Sequence, residues 1–290
     1  MNFCAACDSD IGIKKETNQD SLLLARAQRG RDDEIVLAVI CDGVGGLKMG
    51  ELASAAVVWA FRDWFDERMP VLCREENPRD DIFDEWDELV QKIHTTLKDS
   101  SEKEGFRLGT TVEALLLLGG RYYICHVGDC RVYSFGDGPA KQLTVDHSVV
   151  QQEIDAGRLT PQQARKDPRQ NLLLQCVGAG NAVKPDFLSG TIRPGQQFLL
   201  CCDGFRRRVT EAEIEKNCHV PCKEDKMQEA LEKNTELCKK RGEHDNITSI
   251  LVGSVKPGLF HFLHKSKGCG GYCKLSETLL EHTKRNGSEG

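Results

Sequence analysis

Asp42-Gly43 and Asp203-Gly204 each close an apolar run, and Asp245-Asn246 opens one. Two further aspartates, Asp20 and Asp129, lie beside similar boundaries. Carboxylates brought to one rim repel one another and are costly to desolvate unless cations neutralise them. No histidine or cysteine stands at these five positions, and oxygen-only donors select hard ions such as Mg²⁺ or Mn²⁺ over zinc. Two such ions side by side activate a bridging water and clamp a phosphoryl oxygen for in-line displacement. A GxxxxGK[ST] loop is missing from the sequence, so nucleotide kinase or ATPase chemistry is not indicated. Hydrolysis of a phosphoester at a two-metal site is the chemistry these residues suit.

Such a set works only if strands carry it to one place. IVLAVIC (35–41) is too short to span a membrane and is bounded by turn residues, so it reads as a buried strand with Asp42 at its rigid end. Gly43, Gly45 and Gly46 then make a strand-to-helix corner. The run 197–202 is a second buried strand, ending at Asp203, and 247–252 is a third, starting after Asp245. Residues 3–14 read as a strand entering a turn, and 21–27 as a strand after the polar stretch 14–20. Apolar residues at i, i+3, i+4 spacing predict core-facing helices over 50–65 and 82–98. Two prolines and a charge cluster predict a loop over 69–81. Strands follow at 111–118, 122–127 and 131–135, the first two joined by the Gly119-Gly120 hairpin. Residues 148–167 predict two short helices, one ended by Gly157 and one opened by Thr160-Pro161. This insert reads as a flap over a cleft or as a plain surface excursion. Helices are expected again over 211–217 and 224–241.

The 290 residues allow one or two domains. With 39% hydrophobic and 29% charged residues the composition is that of a soluble globular protein. A net charge of −6 speaks against a general nucleic-acid binder. No run is long enough to cross a membrane, and Asp8, Asp10, Glu16 and Asp20 stand where a secretory leader would be apolar. Several of the 14 cysteines, Cys41, Cys125, Cys201 and Cys202 among them, lie in strand-like apolar runs. They read as buried thiols of a cytoplasmic protein rather than as a disulfide framework.

In order, SDIGIKKETNQD (9–20), DGVGG with GELAS (42–54), GTT (109–111), HVGDCRVY (126–133), LTVDHS (143–148), FLLCCDGF (198–205) and HDNITSILV (244–252) resemble the motif series of the metal-dependent type 2C serine/threonine phosphatases, the PPM family. The bacterial single-domain branch is the nearest likeness, over about residues 3–255. The resemblance implies an α+β fold, a four-layer αββα sandwich of two antiparallel sheets flanked by helices. It implies a catalytic domain over 1–255, with the flap at about 148–171, and a C-terminal extension over 256–290. It implies metal-dependent hydrolysis of phosphoserine and phosphothreonine in proteins by a metal-bridging hydroxide, without a phosphoenzyme. Asp42 matches the aspartate bridging two Mn²⁺ or Mg²⁺ ions, and Gly43 a backbone carbonyl ligand. Asp203 and Asp245 match the remaining metal carboxylates. Asp129 matches a residue of a weaker third metal site, and Asp20 a carboxylate reaching the pair directly or through water. Asn246 is expected to orient Asp245. The implied partners are phosphorylated proteins and a serine/threonine kinase, with no nucleic acid and no membrane, and the chain is expected to be a cytoplasmic monomer.

Three positions depart from the family pattern. Lys15 stands where an arginine usually contacts the substrate phosphate, and a lysine lacks the bidentate fork. Gln19 replaces a carboxylate. Val44 stands where animal members carry a histidine acid, a role left to a metal-bound water or to His147, itself more simply a structural residue. These departures keep open a catalytically weak regulatory phosphoprotein-binding member, and a neighbouring branch offers a third reading, a partner-switching phosphatase acting on an anti-sigma-factor antagonist. Beyond residue 255, His261, His264, Cys269 and Cys273 allow a zinc knuckle, and an ordinary tail is the simpler reading.

Overall fold

Alternation along the strands decides the layering. In IVLAVIC, Val36, Ala38 and Ile40 pack on one side and Ile35, Leu37, Val39 and Cys41 on the other, all fully buried. A strand apolar on both faces must lie between two layers. The computed structural model describes residues 1–30, 33–44, 49–105, 107–136, 138–255 and 272–281. Its strands are β1 (Phe3–Asp10), β2 (Ser21–Arg29), β3 (Asp33–Cys41), β4 (Val112–Leu118), β5 (Arg121–Val127), β6 (Arg131–Phe135), β7 (Lys141–Gln142), β8 (Asp186–Thr191), β9 (Gln197–Cys201), β10 (Ile247–Ser254) and β11 (Tyr272–Leu280). One antiparallel sheet runs β1-β10-β9-β6-β7 and the other β11-β2-β3-β4-β5-β8.

Leu22, Leu24, Ile40, Leu115 and Ile124 of the second sheet meet Phe3, Val132, Phe198, Leu200 and Ile250 of the first, forming the central core. The outer face of the second sheet is covered by α1 (Gly50–Leu72) and α2 (Arg79–Glu104), whose Val57, Phe61, Phe65, Trp86 and Val90 pack on Leu23, Leu37, Val39 and Leu116. The outer face of the first sheet is covered by α5 (Asp203–Arg206), α6 (Glu211–Cys218) and α7 (Glu224–Lys240), through Phe205, Ile214, Met227 and Leu231. The fold is the expected four-layer αββα sandwich.

The helices α3 (Val149–Asp155) and α4 (Pro161–Ala164) form the insert before β8. Thr160 caps α4 in a reciprocal capping box with Gln163, and Gly157 takes a φ of 70° just after α3. Both ends of the insert return to one stem, where Val149 N–H donates to the Leu172 carbonyl at 2.9 Å and Leu174 N–H to that of His147 at 2.8 Å.

The expected loop at 69–81 is much shorter, because α1 continues through Pro70 to Leu72. Met69 and Leu72 are fully buried, and their packing holds the last turn helical despite the missing proline N–H. Strands β7, β8 and β11 were not legible in the sequence. β11 pairs antiparallel with β2 along its length, Tyr272 opposite Arg29 and Leu280 opposite Leu22. Trp59 Nε1 donates to Glu281 at 2.7 Å, and Arg62 and Lys274 pair with Glu277 and Asp66, tying the strand to α1. His261, His264 and Cys269 of the zinc reading lie outside the described residues, and Cys273 is exposed on β11. No described helix is long and apolar enough to cross a membrane.

Candidate active site

The ends of β3, β9 and β10 and the β1–β2 and β5–β6 connections meet at one end of the sandwich. They enclose a cavity of about 270 Å³ lined by Lys15, Asp42, Val44, Thr111, Asp129, Asn171, Leu173, Asp203, Arg207 and Asp245. Five residues singled out by sequence, Lys15, Asp42, Asp129, Asp203 and Asp245, thus share one cavity, and Val44 lies among them. Asp20 stands just behind, with a carboxylate oxygen within 4.8 Å of one of Asp42.

Local structure fixes each of them. Asp42 N–H donates to Thr111 Oγ1 at 2.9 Å, while its carbonyl accepts from Thr111 N–H and Thr110 Oγ1, both at 2.9 Å. Gly43 is clamped against neighbouring backbone: a Cβ there would lie 2.6 Å from Gly50 and 2.7 Å from the Gln19 carbonyl, so no other residue fits. Gly204 is tighter still, with a Cβ falling 2.0 Å from the Asn246 carbonyl oxygen, which is how the Asp203 and Asp245 corners come so close. The backbone N–H of Asn246 donates to Asp245 Oδ1 at 3.0 Å. Its side chain does something else. Oδ1 accepts from Gln19 N–H at 2.9 Å and Nδ2 donates to the Ile11 carbonyl at 3.0 Å, pinning the loop that carries Lys15 and Asp20.

The carboxylates are crowded and dry. Burial pushes Asp42 well above the usual range, helped by the charges of Asp20, Asp203 and Asp245. Burial raises Asp203 to about 7 against the pull of Arg207, and raises Asp20 to about 6. Asp245 goes the other way: burial would raise it, but Lys15, 2.7 Å away, and Arg207 outweigh burial and hold it low. Asp20 Oδ2 and Asp203 Oδ1 are buried without a hydrogen-bond partner. Orphaned carboxylate oxygens and carboxyls held above their usual range are what a bound cation would relieve. The Cys202 thiol lies within 4.8 Å of Asp20 and Asp42 but is already engaged, accepting from Thr248 N–H and donating to the Asn246 carbonyl. The donors left are oxygens, so the residues fit Mn²⁺ or Mg²⁺.

His147 does not line the cavity: its Nδ1 accepts from Gly128 N–H at 3.3 Å and its Nε2 faces Asp186 at 3.1 Å. Arg207, which sequence reading missed, bonds Asp203 and lies 3.5 Å from Asp245. The only sequence signal was its place four residues after Asp203, one helical turn on and just past the end of α5. Glu243 was also missed. It accepts the N–H groups of His244 and Asp245 through Oε1 and the Arg208 guanidinium through Oε2, and so shapes the turn before β10.

A fold of two antiparallel sheets between helices, with aspartates converging at one end, defines the class. The family model for protein phosphatase 2C matches residues 13–249. The chain is 29% identical over 247 residues to protein phosphatase PhpP of Streptococcus pneumoniae, covering 84% of this chain and 94% of PhpP. It is 29% identical over 252 residues to the serine/threonine protein phosphatase PstP of Mycobacterium tuberculosis, covering 86% of this chain and 45% of that longer protein. The catalytic domain of a PstP in complex with two manganese ions superposes with a TM-score of 0.71 at 27% identity, over 88% of this chain and 99% of that one. The chain belongs to the protein phosphatase 2C family.

Proposed function

We propose that this chain hydrolyses phosphoserine and phosphothreonine monoesters of proteins with two Mn²⁺ or Mg²⁺ ions held by Asp42, the Gly43 carbonyl, Asp203 and Asp245, Asp20 reaching them directly or through water. The observation that carries the reading is the meeting of Asp42, Asp203 and Asp245 in one cavity, with buried oxygens unpartnered behind them. Membership of a family of protein serine/threonine phosphatases gives the reaction class. When bound, the cations supply an activated water and neutralise charge on the phosphoryl oxygens.

The chain's own residues do the rest. Thr110 and Thr111 fix the Asp42 backbone, so its carboxylate does not swing as charge builds in the cavity. Lys15 and Arg207 supply the positive side of the cavity and orient the phosphate, Arg207 offering the planar fork that Lys15 lacks. Asn171 and Leu173, at the end of the insert, border the opening and meet the peptide flanking the phosphorylated residue. A serine/threonine kinase must supply such substrates. The catalytic unit spans residues 1–255 and acts as a cytoplasmic monomer.

The test is hydrolysis of a phosphothreonine peptide with and without Mn²⁺, wild type against Asp203→Ala. Activity that requires Mn²⁺ and falls on substitution supports the reading, and equal rates in all four conditions sink it. Mn²⁺ binding without turnover would favour the regulatory, phosphoprotein-binding alternative, which the pairing of Lys15 with Asp245 motivates.

A further inference from the structure

Asp129 is the residue that the resemblance assigns to a third cation, and in this chain an arginine holds it. Its Oδ2 accepts from Arg206 Nη2 at 2.7 Å, and its backbone carbonyl accepts from Arg206 Nε at 2.9 Å. The same guanidinium lies 3.4 Å from Asp146 Oδ2. Asp146 is gripped from its other side by Arg131 through two parallel hydrogen bonds of 2.7 and 2.8 Å. Both carboxylates are 4% exposed and Arg206 is 13% exposed. Two buried carboxylates and two guanidiniums cancel. A divalent ion approaching Asp129 would find its charge already spoken for and a fixed guanidinium on the far side of the carboxylate.

We propose that Arg206 takes the place of a third metal ion at Asp129, so that this chain works with two bound cations and a built-in guanidinium. The inference rests on the two-cation reading above. Arg206 is then a positioning residue: it holds Asp129 beside Asp42 and Asp203 in the cavity wall, and because a guanidinium does not deprotonate, the hold is independent of metal supply. A run of three arginines directly after Asp203-Gly204-Phe205 gains a purpose in its first member.

Equilibrium dialysis against Mn²⁺ up to millimolar concentration, with bound metal counted by elemental analysis, tests this without reference to turnover. Wild type, Arg206→Lys and Asp129→Asn should each saturate at two ions. Arg206→Met should take up a third, and the double substitution Arg206→Met with Asp129→Asn should lose it again. A third ion in wild type that Asp129→Asn removes overturns the inference, as does a folded Arg206→Met that stays at two. Should Arg206→Met fail to fold by circular dichroism, the comparison of wild type with Asp129→Asn decides alone. Fewer than two ions in wild type refutes the two-cation reading itself and takes the inference with it.

Discussion

Glu113 and His126 form a fully buried pair beneath the active site, on neighbouring strands β4 and β5, with Oε2 2.7 Å from Nδ1. His126 Nε2 bonds the Val145 carbonyl at 3.0 Å, and its ring packs tilted against that of His147, centroids 4.7 Å apart, so the pair braces the loop ahead of the insert. Burial raises Glu113 from its ordinary 4.5 to about 7 despite His126. Burial alone would lower His126, but Glu113, Asp146 and the Val145 carbonyl turn its net shift upward. Both shifts have the same sign for stability. Between pH 4.5 and about 7 the folded protein holds a proton on Glu113 that the unfolded chain has released, so stability falls as pH rises through that window. His126 extends the fall above its ordinary range, since its folded form also keeps a proton longer. At 1.36 kcal/mol per pH unit, Glu113 accounts for a loss of roughly 3 kcal/mol between pH 4.5 and 7.5. Glu113→Gln keeps the shape and one hydrogen bond but cannot ionise. Urea unfolding at half-unit steps from pH 5 to 8 should show the wild-type stability falling more steeply than that of Glu113→Gln, the difference between them changing by about 2–3 kcal/mol in favour of the variant as pH rises. Because both proteins share the metal-site carboxylates, their contribution cancels in the difference. Parallel curves across the range would refute the assignment of the proton to this pair.

Three further outcomes follow from the same geometry. Gly204→Ala puts a methyl 2.0 Å from the Asn246 carbonyl oxygen. It must separate the Asp203 and Asp245 corners, so kcat/KM in Mn²⁺ should fall by about 100-fold, with weaker Mn²⁺ binding by calorimetry. Arg207→Ala removes a cation that competes for Asp203 and Asp245. It should tighten Mn²⁺ binding while raising KM for a phosphopeptide about tenfold, and a fall in both affinities would show that Arg207 only holds the fold. A chain ending at Val255 loses β11 and bares the edge of β2, so its thermal midpoint should drop while KM for a small phosphoester stays that of the full chain.

How much of this was legible beforehand follows from which forces are local. The apolar run 35–41 carries its own burial, and an aspartate after such a run declares a strand end; Asp42, Asp203 and Asp245 could therefore be chosen and meet as expected in one cavity. Lys15 and Asp129 share it. Side-chain partners set by the tertiary fold were not legible. Nothing in HDN says that the Asn246 amide reaches Gln19 and Ile11, more than 220 positions away. Nothing in FRRRV says that the three guanidiniums serve three different carboxylate groups, at Asp129, Asp203 and Glu243. Pro70 misled because proline's local preference against helix was overridden by the burial of Met69 and Leu72. β8 and β11 were missed because both are edge strands whose residues are largely half-buried or exposed, without the apolar alternation that marks a covered strand.

The pairing of β1 with β10 and of β2 with β11 joins strands more than 200 residues apart in both sheets. During synthesis on a ribosome, the first two strands emerge long before the partners that flank them. Until then each offers a row of unsatisfied backbone groups on a hydrophobic ribbon, the kind of template that captures foreign strands. Neither sheet can be completed from nascent segments in order, and the loop closures that complete them come last and span most of the chain. The period of greatest exposure to aggregation and to chaperones therefore falls before β10 and β11 leave the exit tunnel.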